Sequence, residues 1–172
     1  YRGSPRAGAD RAAWWGGQGM RVQVHVSETR SEHGECQQRH SGWTPVRYFD
    51  SLGLFDVPVT AAHCVWVDDE DIDVLAARGV FVAANPASNM KLGSGFAPVP
   101  KMLERGVKVC LGTDGMASNN NHDMMQDLYL LALLYKGSTH APAVVTPKPA
   151  LQAAPPTGPL TQGRDAWRSG AV

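Results

Sequence analysis

Between residues 21 and 114, four short apolar, valine-rich runs each end in a chemically reactive residue, and helix-length segments separate them. They are Val22-Gln-Val-His25-Val-Ser-Glu28, Val57-Pro-Val-Thr-Ala-Ala-His63, Val80-Phe-Val-Ala-Ala-Asn85-Pro and Val107-Lys-Val-Cys-Leu-Gly-Thr-Asp114-Gly. Strand, reactive loop, helix, glycine and strand again is the rhythm of consecutive βα units, which predicts an α/β fold with a parallel sheet. In such a sheet the residues just past the carboxyl ends of the strands meet on one face. His25, Glu28, His63 and Asp114 are therefore expected together although distant in sequence. That is the layout of a metal-assisted hydrolytic site.

The connecting segments carry helix signals of their own. Thr44-Pro45 starts a helix, because Thr caps well and Pro suits the first helical position, and Gly53 can stop it. Its apolar Val46, Phe49 and Leu52 recur at helical spacing. Asp68-Asp-Glu-Asp-Ile-Asp places acids where a helix macrodipole favours them, ahead of an apolar face of Ile72, Leu75 and Ala76. Pro98 to Gly106 reads as a short helix running into the Val107 strand, and Asp123 to Lys136 as the longest helix, with Met124, Leu128, Leu131, Ala132 and Tyr135 on one side. Glu32 to Gln38 can open a helix whose extent the pattern does not define. Residues 1–20 show neither period and read as an irregular segment; residues 21–137 hold the βα units; residues 138–172, rich in Pro and Ala, read as a loosely ordered tail. About four βα units cannot close an eight-stranded barrel, so the expectation is an open sheet or the carboxyl half of a barrel.

Bulk properties exclude several partners. The 16 Lys and Arg balance 16 Asp and Glu, so no net field draws nucleic acid or an anionic membrane. No apolar run approaches the roughly 18–20 residues that span a bilayer. The amino-terminal stretch lacks the apolar core of a secretory signal. Cys36, Cys64 and Cys110 are an odd, widely spaced set without a Cys-x-x-Cys pair, which fits reduced thiols rather than a disulfide framework. A cytoplasmic protein is the expectation.

His25 and Glu28 stand in His-x-x-Glu spacing at a strand end, where imidazole can ligate a metal and the carboxylate can move a proton. His63 after an apolar strand reads either as a hydrogen-bonded core residue or as part of a site. Asp114, delivered straight from a strand within Leu-Gly-Thr-Asp-Gly, suits a hard ligand for a divalent metal, although Asp-Gly is also a turn pair. Asn85-Pro-Ala-Ser-Asn89 and Ser118-Asn-Asn-Asn121 offer amides and hydroxyls that can orient a polar heterocycle, or simply form loops. Cys64 follows His63 directly, and strand neighbours point to opposite faces, so a Cys-His nucleophilic pair is not expected. There is no Gly-x-Ser-x-Gly elbow and no glycine-rich phosphate loop.

Taken together, His-Val-Ser-Glu-Thr, Ala-Ala-His-Cys-Val, Asn-Pro-Ala-Ser-Asn-Met-Lys-Leu-Gly-Ser-Gly and Leu-Gly-Thr-Asp-Gly-Met-Ala-Ser-Asn-Asn-Asn-His-Asp resemble the amidohydrolase superfamily. The nearest subgroup is the 5-methylthioadenosine/S-adenosylhomocysteine deaminases, with triazine chlorohydrolases and guanine deaminases as relatives. The resemblance covers roughly Arg21 to Gly137. It implies a metal-dependent hydrolase β/α (TIM) barrel that hydrolyses a C–N bond on a small heteroaromatic substrate. It also implies a divalent metal, zinc first and iron second. By motif match His25 is a metal ligand and Asp114 a ligand that also accepts a proton from water. Glu28 protonates the ring nitrogen and, with His63, contacts substrate; His63 positions the attacking water.

The family's His-x-His pair after its first barrel strand does not occur in the chain, and residues 1–20 do not resemble the segment expected there. The expectation is a fragment lacking the His-x-His half of the site, which needs that missing amino-terminal half. The alternatives are a non-catalytic half-barrel remnant prone to self-association through its sheet edges, or a chlorohydrolase or guanine deaminase relative.

Overall fold

The computed structural model describes residues 21–145. Its strands are β1 (Val22–Val26), β2 (Val59–His63), β3 (Phe81–Ala84) and β4 (Lys108–Leu111). They form one parallel sheet in the order β1-β2-β3-β4. The helices are α1 (Arg30–Arg39), α2 (Pro45–Ser51), α3 (Asp69–Ala77), α4 (Pro86–Lys91), α5 (Val99–Glu104), α6 (Met116–Asn119) and α7 (Met124–Thr139), with a 3-10 turn at Leu54–Asp56. The expected βα units are all present, as a partial barrel. No helix among the described residues is long and apolar enough to cross a membrane.

Register separates the two faces of the sheet. Val24, Ala61, Val82 and Val109 form one row across the strands and lie in or against the apolar core. One residue on, His25, Ala62, Ala83 and Cys110 form the next row, which points to the other face because the side-chain period is two. His25 is exposed on that face. A sequence slip of one residue would bury it and turn the valines out.

Helix α3 shows what docks the helical layer. The helix starts at the acidic run, as expected, and Asp68 caps it in a full capping box with Asp71. Arg47 pairs with Asp68 and Glu70, Arg105 with Asp69 and Asp73, and Lys101 with Asp69. Exposed pairs of this kind are screened by solvent and contribute little. Ile72 and Leu75, at 1% and 0% exposure, contribute about 1.5–3 kcal/mol each, so burial decides and the ions set orientation.

Several elements depart from the sequence pattern. Asn85-Pro86 opens helix α4 rather than a plain loop, with Pro in the first turn. Ser118 and Asn119 close the short helix α6. On α7, Leu131 and Tyr135 are buried as expected and Leu128 and Ala132 pack against the core, but Met124 is exposed. That helix runs through Gly137 to Thr139, and Val145 is buried in the core. Residues 1–20 and 146–172, and what the sequence implies for them, lie outside the described part.

Candidate active site

Three strand ends deliver the site. Helix α1 begins at the cap Thr29, whose Oγ1 accepts from Glu32 N at 3.2 Å, while the Glu32 carboxylate accepts from Glu28 N at 3.0 Å. Glu28 is thereby fixed directly after β1. The chain leaving β2 is tied to the same place: Cys64 N donates to Val26 O at 2.9 Å, and Val65 N and Trp66 N both donate to Ser27 O. The loop after β4 is held by a buried carboxylate, Asp127, which accepts from Ala87 N at 3.0 Å and from Asn119 Nδ2 at 2.8 Å. The same Asn119 amide donates to Thr113 O at 2.8 Å, one residue before Asp114.

His25, His63 and Asp114 each place one donor atom within 4.8 Å of the other two. The two imidazoles stack with centroids 5.3 Å apart at 22°. Glu28 Oε2 lies 3.7 Å from His63 Nε2, too long for a hydrogen bond but close enough to act on the same small molecule. The four residues that the sequence singles out thus converge, from strand ends up to 89 residues apart (114 − 25).

His63 is completely buried, and its Nε2 has no hydrogen-bond partner among the described residues. Its Nδ1 lies 2.8 Å from Asn89 Oδ1 and 3.4 Å from Asn85 Nδ2, both on or at the start of α4. Asp114 accepts from Ser88 Oγ at 2.6 Å. Burial works to raise the Asp114 pKa, but donation from Ser88, Gly115 N–H and Ser118, together with the nearby His63, outweighs it and holds the carboxyl below its ordinary value. It stays an anion at neutral pH. Cys64, by contrast, is fully buried and its thiol is pushed far up by desolvation, so it is no nucleophile.

Two imidazoles and a carboxylate are a donor set that zinc accepts. The bare, buried Nε2 of His63 is the observation that makes the set fit: a polar atom in the interior without a partner is costly unless an electrophile completes it. His63, expected to position water, is therefore also within reach of a shared ion.

The motifs singled out Ser88, Asn85 and Asn89 only as members of a polar cluster. Gly112 gave no signal at all. A Cβ there would lie 2.3 Å from Asn85 Oδ1, so the strand end approaches α4 at a distance only glycine allows. Asp127 was equally hidden, since an acid in the first turn of a helix is ordinary on the surface.

An open parallel sheet thus brings three reactive strand ends to one face, with a His, His, Asp cluster that could hold a metal ion beside a glutamate. The chain belongs to the amidohydrolase family, whose profile matches residues 17–165. It is 55% identical over 118 residues to 5'-deoxyadenosine deaminase of Methanopyrus kandleri, covering 69% of this chain and 27% of that one. It is 55% identical over 130 residues to the 5-methylthioadenosine/S-adenosylhomocysteine deaminase of Dictyoglomus thermophilum, covering 76% and 30%. Among solved structures, an adenosine deaminase from Xanthomonas campestris with bound zinc superposes with a TM-score of 0.86 at 29% identity, over 93% of this chain and 36% of that one. A zinc complex of atrazine chlorohydrolase from Arthrobacter aurescens gives 0.84 at 27% identity, over 94% and 36%. The chain thus spans about a third of the length of the relatives it matches.

Proposed function

We propose that residues 21–145 are the carboxyl-side half of an amidohydrolase active site that deaminates an aminated heteroaromatic ring of the adenosine type, such as 5-methylthioadenosine or S-adenosylhomocysteine. The observation that carries this reading is the convergence of His25, His63 and Asp114 within 4.8 Å, with Glu28 at 3.7 Å from His63. His25 and Asp114 would hold a divalent ion, zinc or iron, with His63 offering a third donor. When bound, such an ion lowers the pKa of water so that hydroxide is available near pH 7.

The chain's own residues do the rest. Asp114, kept anionic by its donors, takes the proton of the attacking water. Glu28 carries a proton to the ring nitrogen beside the carbon under attack, relieving the charge that builds there. His63 orients the water against the ring. The C–O bond forms, Asp114 passes its proton to the amino nitrogen, the C–N bond breaks and ammonia leaves, while Glu28 takes back a proton from the new hydroxyl; one water is consumed. Substrate contacts beyond Glu28 and His63 belong to the other half of the barrel.

The test is metal content by elemental analysis on the dialysed chain, with Asp114→Ala alongside. About one equivalent of zinc or iron, lost in the variant, supports the half-site, and ammonia release from 5-methylthioadenosine then tests the activity. No metal in either protein sinks an autonomous site. Chloride release from a chlorotriazine without ammonia release from adenosines would move the assignment to a chlorohydrolase.

A second reading rests on the sheet itself. Among the described residues β1 and β4 each pair on one side only, which leaves two parallel edges for another chain or half-barrel. A non-catalytic half-barrel that self-associates would bind no metal and would sediment as an oligomer.

A further inference from the structure

We propose that Asn89 is the positioning residue that sets the tautomer of His63, accepting its Nδ1–H so that Nε2 is left bare on the side of Glu28. The inference deepens the metal-site reading above and rests on it for its consequence, though not for its test.

The Nδ1 atom of His63 has two neighbours that make opposite demands. Asn89 Oδ1 at 2.8 Å can only accept, so it requires a proton on Nδ1. Asn85 Nδ2 at 3.4 Å can only donate, so it requires a lone pair there. One nitrogen cannot satisfy both. The shorter contact lies at the optimum for an N–H···O bond, and the longer one at the outer edge of the range, so Asn89 decides. Asn85 is then a close neighbour that packs against Gly112 rather than a partner of the imidazole.

The other ring nitrogen agrees. A neutral imidazole with its proton on Nδ1 carries a lone pair at Nε2, the form in which histidine binds a metal. Nε2 has no hydrogen-bond partner among the described residues, and a proton there would point toward a Glu28 oxygen 3.7 Å away, beyond hydrogen-bonding distance. Asn89 is itself held in place. It is 3% exposed, its N–H donates to Asn85 O and its carbonyl accepts from Ser94 N, each at 2.9 Å. Partners of this kind behind a ligating histidine fix both the ring plane and the tautomer.

The opposite arrangement is well defined. An Asn89 amide turned by 180° would donate to Nδ1 and place the proton on Nε2, the form that a free histidine side chain favours. The proposed tautomer is therefore not the default, and observing it carries weight.

The experiment is a long-range proton–nitrogen correlation spectrum of the full chain labelled with ¹⁵N-histidine. It is recorded without metal at about pH 8.5, above the ordinary imidazole range, with His63 assigned by its loss in His63→Gln. The wild type is expected to show His63 with a protonated Nδ1 and a bare Nε2. Asn89→Asp, which keeps an acceptor, retains that pattern. Asn89→Leu, which removes it, moves the proton to Nε2 as the Asn85 amide takes over Nδ1. Asn85→Leu leaves the tautomer unchanged. A wild-type His63 protonated on Nε2 overturns the proposal, as does an Asn89→Leu protein with dispersed amide signals and an unchanged Nδ1–H. Should Asn89→Leu fail to fold, the wild type and Asn89→Asp still decide.

The metal reading stands or falls separately. Where the wild type retains zinc, Asn89→Leu is expected to weaken its affinity about 10- to 100-fold. A wild type with Nδ1–H that holds no zinc refutes the metal site and leaves the role of Asn89 standing. A zinc-binding wild type with Nε2–H in its metal-free form does the reverse.

Discussion

Gly112→Ala tests how tightly the site is assembled from α4 and β4. A Cβ on Gly112 would sit 2.3 Å from Asn85 Oδ1 and 3.5 Å from its Cγ, where real Cβ contacts do not fall under 3.0 Å. The amide must therefore retreat by about 0.7 Å, the difference between those two distances. Asn85 is 4% exposed and heads α4, so it has no open space to move into. Overpacking of this kind costs about 1–3 kcal/mol. Forcing a buried side chain off its rotamer accounts for about 0.5–1.5 kcal/mol of that. For a chain of this length a loss of about 2 kcal/mol lowers Tm by roughly 4–8 °C. Gly115→Ala is the internal control: it lies three residues on, has a φ of −76°, and an added Cβ meets nothing within 4 Å. Urea unfolding of both variants should show a lower midpoint at unchanged m for Gly112→Ala, and a change within about 0.5 kcal/mol for Gly115→Ala. Equal stability of the two proteins would refute the close approach and with it the placement of α4 behind His63.

Two further outcomes follow from the charges and thiols. Asp69 has its pKa lowered by hydrogen bonding from Lys101, against a smaller opposing effect of desolvation, with Arg105 adding to the lowering. A depressed folded-state pKa means that the pairing stabilises above the unfolded value of about 3.9 and is lost as pH falls through the folded value. Asp69→Asn should flatten the acid limb of a stability-versus-pH curve, and an unchanged limb would show that the α3–α5 ion cluster contributes nothing. Cys36, Cys64 and Cys110 are all buried, and burial raises each thiol, that of Cys110 to about 11. A thiol reagent at pH 7.5 should label the native chain only as fast as it opens, whereas fast stoichiometric labelling would place a cysteine at the surface.

What could be read in the sequence was local, and what could not was long-range. Thr44 was legible as a helix cap, and the acidic run from Asp68 and the segment from Asp123 as helix starts, because a cap acts on N–H groups two or three residues away; in the structure Thr44, Asp68 and Asp123 all accept such bonds. His25, Glu28, His63 and Asp114 were legible because the βα rhythm places strand ends on one face whatever the loops do. Helix α1 was visible only in part, since Cys36 is its one fully buried residue and no apolar stripe marks its length. Asn85-Pro86 is equally a loop or a helix start in isolation, and the packing of α4 against β4 decides between them. The contact of His63 with Asn89, 26 residues later, depends on the register of β2 with β3, which nothing in either segment encodes.

The backbone at the strand ends shows what convergence demands. Ser27, His63, Cys64 and Asp114 have φ values of 49°, 72°, 47° and 61°, a left-handed conformation that costs a non-glycine residue about 1–2 kcal/mol. Glycine would relieve it, but at His63 and Asp114 it would remove the donor atoms that converge there. The conflict is held in place by the surroundings. After β2, Cys64 N reaches Val26 O, and Val65 N and Trp66 N share Ser27 O, so the strained residues of two strand ends lie in one hydrogen-bonded knot. After β4, the Asn119 amide bridges Thr113 O to the buried Asp127, which also takes Ala87 N. Both devices spend backbone groups and buried polar side chains on loops rather than on the core. The strain therefore falls at the strand ends whose donor atoms converge, and Ser27 and Cys64 share it with His63 and Asp114.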